Sequence, residues 1–470
     1  MSSYKKLASN SLLFFLANFG SKILSFVMVP YYTYALTTAE YGTVDVLVST
    51  VSLLAPLVTF GMGDIVTLYL VRKEYTEEKV FTNSFLTLLL GNIIIYILYP
   101  LVASIETLKA YVMFFFLLLL VQSFYSVLQS YARGIGKVVS FAVSGILYTA
   151  ILVTLNLLFL THFKMGIKGY LMSMIIAYFV CCLYLFAKID VSRLLRFGAI
   201  DKQYTKGLLK LSLPLLPTAI LWWLMNVCDK YTILFYLSAS ANGLYTVAHK
   251  LPTILSTIYS VFQQAWQLTT MEMKTKEERS EMYSNLFEIL SCLLVIATAG
   301  LIMCAKFFVV TFCETTYESA WLIIPMLLFS AIFNSLSGFF GSNYIPMGNT
   351  VAVLKISVIG TILNCVLNIV LVPLFGLQGA AFATCAGFIY MTIHKMIGTR
   401  KFTPLHVDLR RFIVAMVILA VQSVLTINLN SCIIYPLGMV VLIVLLVMYR
   451  NIVRIVWNKV VGIIRLKIAK

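Results

Sequence analysis

The sequence predicts an all-α fold, a polytopic membrane protein of about fourteen transmembrane helices, and three observations predict it. Of the 470 residues, 61% are hydrophobic and 11% charged, too few polar side chains to cover a water-soluble protein. Apolar runs of about 20 residues, the length that crosses hydrocarbon as a helix, recur along the chain between short polar breaks. The runs lack the alternating polarity of barrel strands, and in lipid a helix satisfies its own backbone hydrogen bonds.

The first run, 8–36, follows Lys5 and Lys6; it is too long for a signal h-region and reads as a retained helix. The second, 41–70, starts after Glu40 and ends before Lys73-Glu74-Tyr75-Thr76-Glu77. Runs at 80–103, 110–132, 138–162 and 167–189 complete a first group of six. One break among them, Arg133-Gly134-Ile135-Gly136-Lys137, is a basic turn without P-loop spacing. A second group covers 207–237, 242–268, 283–310, 320–344, 350–373 and 378–398, and two more runs follow at 411–429 and 432–453. The expected division is therefore 1–200, an N-terminal lobe; 201–402, a C-terminal lobe; and 403–470, two added helices with a basic tail.

The net charge of +17 sorts by side of the membrane and does not mark a nucleic-acid partner. With the N-terminus inside, 28 of the 35 Lys and Arg fall in cytoplasmic segments, and only Lys109, Lys164, Lys168 and Lys306 fall outside. The positive-inside rule then places both termini in the cytoplasm. The nine Cys are scattered in apolar contexts without CxxC spacing, so they read as small core hydrophobes. No metal, cofactor or nucleotide motif is visible. An enzyme reading lacks both an acidic catalytic cluster and a sizeable external loop.

The two groups resemble each other. Gly42 and Gly243 match at an offset of 201, as do the charged segments that begin at Lys73 and Lys274. Gly166-Ile167-Lys168-Gly169 and Gly376-Leu377-Gln378-Gly379 match at 210, and Asn156 pairs with Asn368 at nearly the same shift. An even number of helices per repeat gives both halves the same orientation, a transporter arrangement about an axis along the membrane normal.

Charge inside a membrane costs at least about 2.5 kcal/mol per residue, so each case needs pairing, snorkelling or a cavity. Lys22 shares a helix face with Asn18 and Ser25. Trp222, Trp223, Asn226, Asp229 and Lys230 cluster in one run; an Asp229–Lys230 pair or snorkelling is the structural alternative. Lys250 lies beside His249 and Pro252, and Lys355 opens a run that carries Asn364 and Asn368; both lysines also admit a structural or snorkelling reading. Against these four lysines, Asp64 and Asp229 are the only acids read as buried, either for ion coupling or for charge pairing. The cationic excess suits a phosphate or diphosphate. Trp222, Trp223, Trp266, Tyr31, Tyr32 and Tyr34 either stack on sugar rings or form interfacial belts.

On these residues the chain resembles the Wzx-type flippases, the polysaccharide-export branch of the multidrug, oligosaccharidyl-lipid and polysaccharide exporter superfamily. The resemblance is carried by Ser212-Leu213-Pro214-Leu215-Leu216-Pro217, Trp222, Asn226, Asp229 and Lys230, and by Gly243-Leu244-Tyr245-Thr246-Val247-Ala248-His249-Lys250. Similar too are Asn18 to Lys22, Glu40-Tyr41-Gly42, Asn364, Asn368, Pro373, Gly376 and Gly379-Ala380-Ala381. Lys230 stands where the family more often has Arg, which weakens any bidentate grip on a diphosphate there. The resemblance implies a two-lobed, fourteen-helix MATE/MOP-like transporter in the bacterial cytoplasmic membrane. Its implied cargo is an undecaprenyl-diphosphate-linked oligosaccharide for capsule, exopolysaccharide or O-antigen assembly. Its partners would be membrane lipids and the polysaccharide polymerase machinery. The rival reading is a cation-coupled small-molecule exporter of MATE type, which needs a buried acidic site.

Overall fold

A computed structural model of the chain describes residues 26–104, 109–271, 276–344, 350–402, 407–429 and 431–454. The described residues are overwhelmingly helical, and eight of their helices are long and apolar enough to cross a membrane. The chain divides into two compact units, Met1–Leu234 with Ser238–Gly243, and Phe235–Leu237 with Leu244–Lys470.

In the first unit the Thr38–Val58 helix starts on a reciprocal cap. The Thr37 hydroxyl accepts from the Glu40 amide (3.2 Å), and the Glu40 carboxylate accepts from the Thr37 amide (3.0 Å), so two orphan donors of the first turn are satisfied. The sequence predicts one helix over 41–70, but the structure breaks it. Phe60 (φ 47°) and Gly61 (φ 64°) turn left-handed, and the Gly61 amide donates to the Pro56 carbonyl (2.8 Å) before a new helix runs Gly63–Arg72. Pro56, which cannot donate a backbone hydrogen bond, lies just upstream of the break. Val112–Gly134, Val138–Asn156 and Gly166–Ile189 pack with these helices around a continuous core that includes Leu47, Val66, Phe115, Leu119, Leu171 and Leu185.

Beyond Ile189 the Glu77–Ile95 helix holds the chain in place. Thr82 Oγ1 donates to the Leu194 carbonyl (3.0 Å), Asn83 Nδ2 to the Ala199 carbonyl (2.9 Å), and the Asp201 amide to Asn83 Oδ1 (2.9 Å). Asp201 caps the Lys202–Ser212 helix, accepting from the Gln203 and Tyr204 amides. The Lys79 ammonium, ion-paired with it, and those two amides hold its carboxyl below the ordinary range.

In the second unit Lys276–Phe312 packs against Leu409–Asn428 and Ser431–Met448, and Ile324–Ser342 packs against Thr350–Phe402. The last of these is bent at Gly376 (φ 59°, ψ −138°), a backbone region essentially reserved for glycine, so two expected helices meet there without a loop. Gly166, its partner in the sequence repeat, also stands at positive φ (54°).

Candidate functional site

The polar centre of the first unit is built on the Thr38–Val58 and Leu216–Tyr236 helices. Lys230 reaches across to Asp45, Nζ to Oδ2 2.8 Å, with both side chains 16% exposed. The same ammonium donates to Ser49 Oγ (3.2 Å), one turn on from Asp45. Trp223 Nε1 donates to the Ser49 carbonyl (2.7 Å), and Tyr231 and Thr50 join their hydroxyls. Trp223, Lys230 and Tyr231, about two turns apart or adjacent on one helix, thus grip a single stretch of the other, residues 45–50.

Asp229 is 1% exposed, and its Oδ1 accepts from the Lys230 amide (2.9 Å). The Lys230 ammonium is instead paired with Asp45, an acid the sequence reading passed over. Asn226 is exposed and donates to the Trp222 carbonyl of its own helix (2.6 Å).

Two glycines close the same region. A Cβ on Gly42 would overlap the Ala239 carbonyl oxygen and lie 2.7 Å from the Gly243 amide nitrogen; a Cβ on Gly243 would overlap the Thr38 carbonyl oxygen. The contact is reciprocal, because Thr38 and Ala239 are separated by the same offset as Gly42 and Gly243. Asn242 Nδ2 donates to the Gly42 carbonyl (2.9 Å).

The other residues singled out in the sequence lie elsewhere. Asp64 is not buried: its side chain is 85% exposed and paired with Arg133 (3.2 Å). Lys250 and Lys355 belong to the second unit, and Lys355 is exposed. Asn364 and Asn368 are fully buried there; Asn364 Nδ2 donates to Thr384 Oγ1 (3.2 Å) and Asn368 Nδ2 to the Asn364 carbonyl (3.0 Å). Lys22 and Asn18 lie outside the described residues, as does the side chain of Trp266. Among the aromatics, Tyr32 is buried and accepts from Asn156 Nδ2 (2.9 Å), while Tyr34 and Trp222 are exposed. Among the described residues no three side chains are grouped to hold a metal ion.

Asp45 carried a signal: a carboxylate four residues inside an apolar run meets the same cost as Lys22. Lys395 carried a weaker one. In the sequence Lys395 ends the 378–398 run and counts by charge with Arg400 and Lys401 on the cytoplasmic side, but the helix continues to Phe402 and Lys395 turns inward, 7% exposed. Its ammonium donates to Ser337 Oγ (2.9 Å), and no carboxylate pairs with it among the described residues. Because a buried ammonium with one neutral acceptor is costly, Lys395→Met is expected to raise stability by about 1 to 4 kcal/mol. Scanning fluorimetry of the detergent-purified protein checks this; a lowered midpoint would show that the ammonium holds a partner worth more than its desolvation.

Comparison with known proteins now bears on this arrangement. The family model described as polysaccharide biosynthesis protein matches residues 7–267, more than half of the chain. The chain belongs to the polysaccharide biosynthesis protein family. No curated protein sequence matches it. Among solved structures, this family member is similar to the lipid II flippase MurJ in an inward closed conformation, with 16% identity, a TM-score of 0.72, and coverage of 94% of this chain and 100% of that one. It is also similar to an inward-facing multidrug resistance MATE family transporter of the MOP superfamily, with 13% identity, a TM-score of 0.66, and coverage of 84% and 99%. An outward-facing structure of such a transporter matches with 14% identity, a TM-score of 0.58, and coverage of 86% and 95%. The polysaccharide biosynthesis family member therefore has the MurJ and MATE fold, that of a multi-pass membrane transporter.

Proposed function

We propose that this protein carries undecaprenyl-diphosphate-linked oligosaccharide repeat units across the bacterial cytoplasmic membrane by alternating access, for capsule, exopolysaccharide or O-antigen assembly. The observation that carries the proposal is a polysaccharide biosynthesis family match joined to a fold shared, over 94% of the chain, with a lipid II flippase. A lipid-linked cargo reconciles the two, because a polysaccharide precursor anchored in the leaflet needs its sugars, not its tail, moved through protein. Both termini face the cytoplasm on the charge asymmetry, and the repeats 1–200 and 201–402 supply the transport machinery, with 403–470 appended. Lys22 is the residue assigned to the diphosphate. Moving its negative charges outward, down an inside-negative potential, gains about 2.3 kcal/mol per charge per 100 mV. Polymerase machinery on the far side then receives the unit.

Deletion of the protein is expected to trap lipid-linked repeat units on the cytoplasmic leaflet and to abolish surface polysaccharide. Wild type restores export and Lys22→Ala does not. A second reading, a cation-coupled exporter of small molecules, draws on two acids held largely out of solvent in the first unit, Asp45 and Asp229. Unchanged lipid intermediates with intact polysaccharide would select that reading.

A further inference from the structure

Lys202, Lys206 and Lys210 stand at i, i+4 and i+8 of the Lys202–Ser212 helix, a row along one face with about 6 Å of rise between neighbours. The helix itself contains no acid. Its capping Asp201 is engaged by Lys79 and by the first-turn amides, and among the described residues none of the three lysines has an ion pair. The row therefore presents uncompensated positive charge. The opposite face is fixed in the unit: Tyr204 and Leu208 are fully buried, and the Tyr204 ring meets Tyr69 and Tyr75 at 5.5 and 4.9 Å. The helix cannot roll its lysines inward without uncovering those rings.

Between the lysines lies apolar surface. Ile200, Leu209 and Leu213 line, with the three lysines, a groove of about 540 Å³ on the outside of the first unit. Ile200 is 50% and Leu213 44% exposed. Water disfavours such leucines and the hydrocarbon core disfavours such lysines, so the one environment that suits both is the boundary of head groups and acyl chains. The chain order agrees, because four residues after Ser212 the apolar Leu216–Tyr236 helix begins.

We propose that this groove binds an anionic phospholipid of the adjoining leaflet, the phosphate held by Lys202, Lys206 and Lys210 and the acyl chains laid against Ile200, Leu209 and Leu213. Charge complementarity selects an anionic ligand over a neutral one, and the apolar half selects a lipid over free phosphate. The site is separate from the cluster at Lys230 and does not depend on which cargo is carried. Each lysine removed should weaken binding about fivefold.

The test uses full-length protein purified in neutral detergent, with native mass spectrometry and thermal shift as readouts. Dioleoyl phosphatidylglycerol is expected to bind and to stabilise, phosphatidylcholine to do neither, and millimolar inorganic phosphate to leave the bound lipid in place. The variant Lys202→Gln/Lys206→Gln/Lys210→Gln should lose that response at least about 100-fold, and Lys168→Gln should keep it. An unchanged midpoint in lipid-free detergent shows that the triple variant is folded; if it is not, the single Lys206→Glu carries the test. Equal phosphatidylglycerol binding by wild type and variant overturns the proposal. So does equal response to phosphatidylcholine, or a response to undecaprenyl phosphate without one to phosphatidylglycerol.

Discussion

Gly42→Ala and Gly243→Ala each lower the stability of the protein by roughly 3 kcal/mol, the upper end of the usual cost of overpacking. The sign is the diagnostic part. Both glycines lie inside helices, where exchange for alanine ordinarily stabilises by about 1 kcal/mol. Here the added carbon meets backbone on the facing segment, which has no side-chain rotamer to move away, so the segments must part and give up the Asn242 hydrogen bond and the packing around it. Gly145→Ala is the internal control, because its Cβ would meet nothing within 4 Å and the substitution raises stability. Thermal unfolding of the three variants in one detergent decides the matter. Gly42→Ala at or above the wild-type midpoint would refute the close contact.

Removing the Lys230 ammonium is the second large effect. Lys230→Met takes the ammonium from the Asp45 carboxylate, 16% exposed; breaking a buried pair from one side costs about 3 to 5 kcal/mol. Asp45→Asn strands the ammonium in turn, although Ser49 still accepts from it, so its cost is smaller. The double variant is expected to recover much of the loss, because most of each single cost is an unpaired charge and not a missing attraction. A double-mutant cycle on unfolding midpoints, run beside surface-polysaccharide complementation, measures this. Strictly additive costs would mean that the two side chains do not act as a pair.

The helices were legible because hydropathy reports residence in lipid, and a helix is the form a chain takes there. The break at Phe60 and Gly61 was not, since an apolar run looks the same whether its backbone stays right-handed or turns. Charges were harder. The sequence offers Lys230 for a cationic cavity, with pairing to its neighbour Asp229 or snorkelling as the structural alternative, but adjacent residues on a helix point about 100° apart and do not face each other. The partner lay 185 positions back at Asp45, a distance over which a single sequence carries no pairing signal. Lys395 was lost to a boundary: a basic cluster near a helix end looks solvated until the fold shows that one member faces inward. Gly42 and Gly243 were found as equivalent positions. That equivalence did not reveal that they touch.

Two matching stretches of one chain that each rest a glycine on the other's carbonyl form what, between separate molecules, would be an isologous interface, the patch that a two-fold dimer makes with itself. In a true dimer every substitution strikes both sides at once, so such a patch changes only by steps tolerable in duplicate. Within one chain that restriction does not hold: the offset that pairs the two glycines sets Asp45 against Thr246 and Asn242 against Tyr41. The carboxylate that fastens Lys230 thus stands on one stretch and the amide that fastens Gly42 on the other, an asymmetry open to two stretches of one chain and closed to identical subunits.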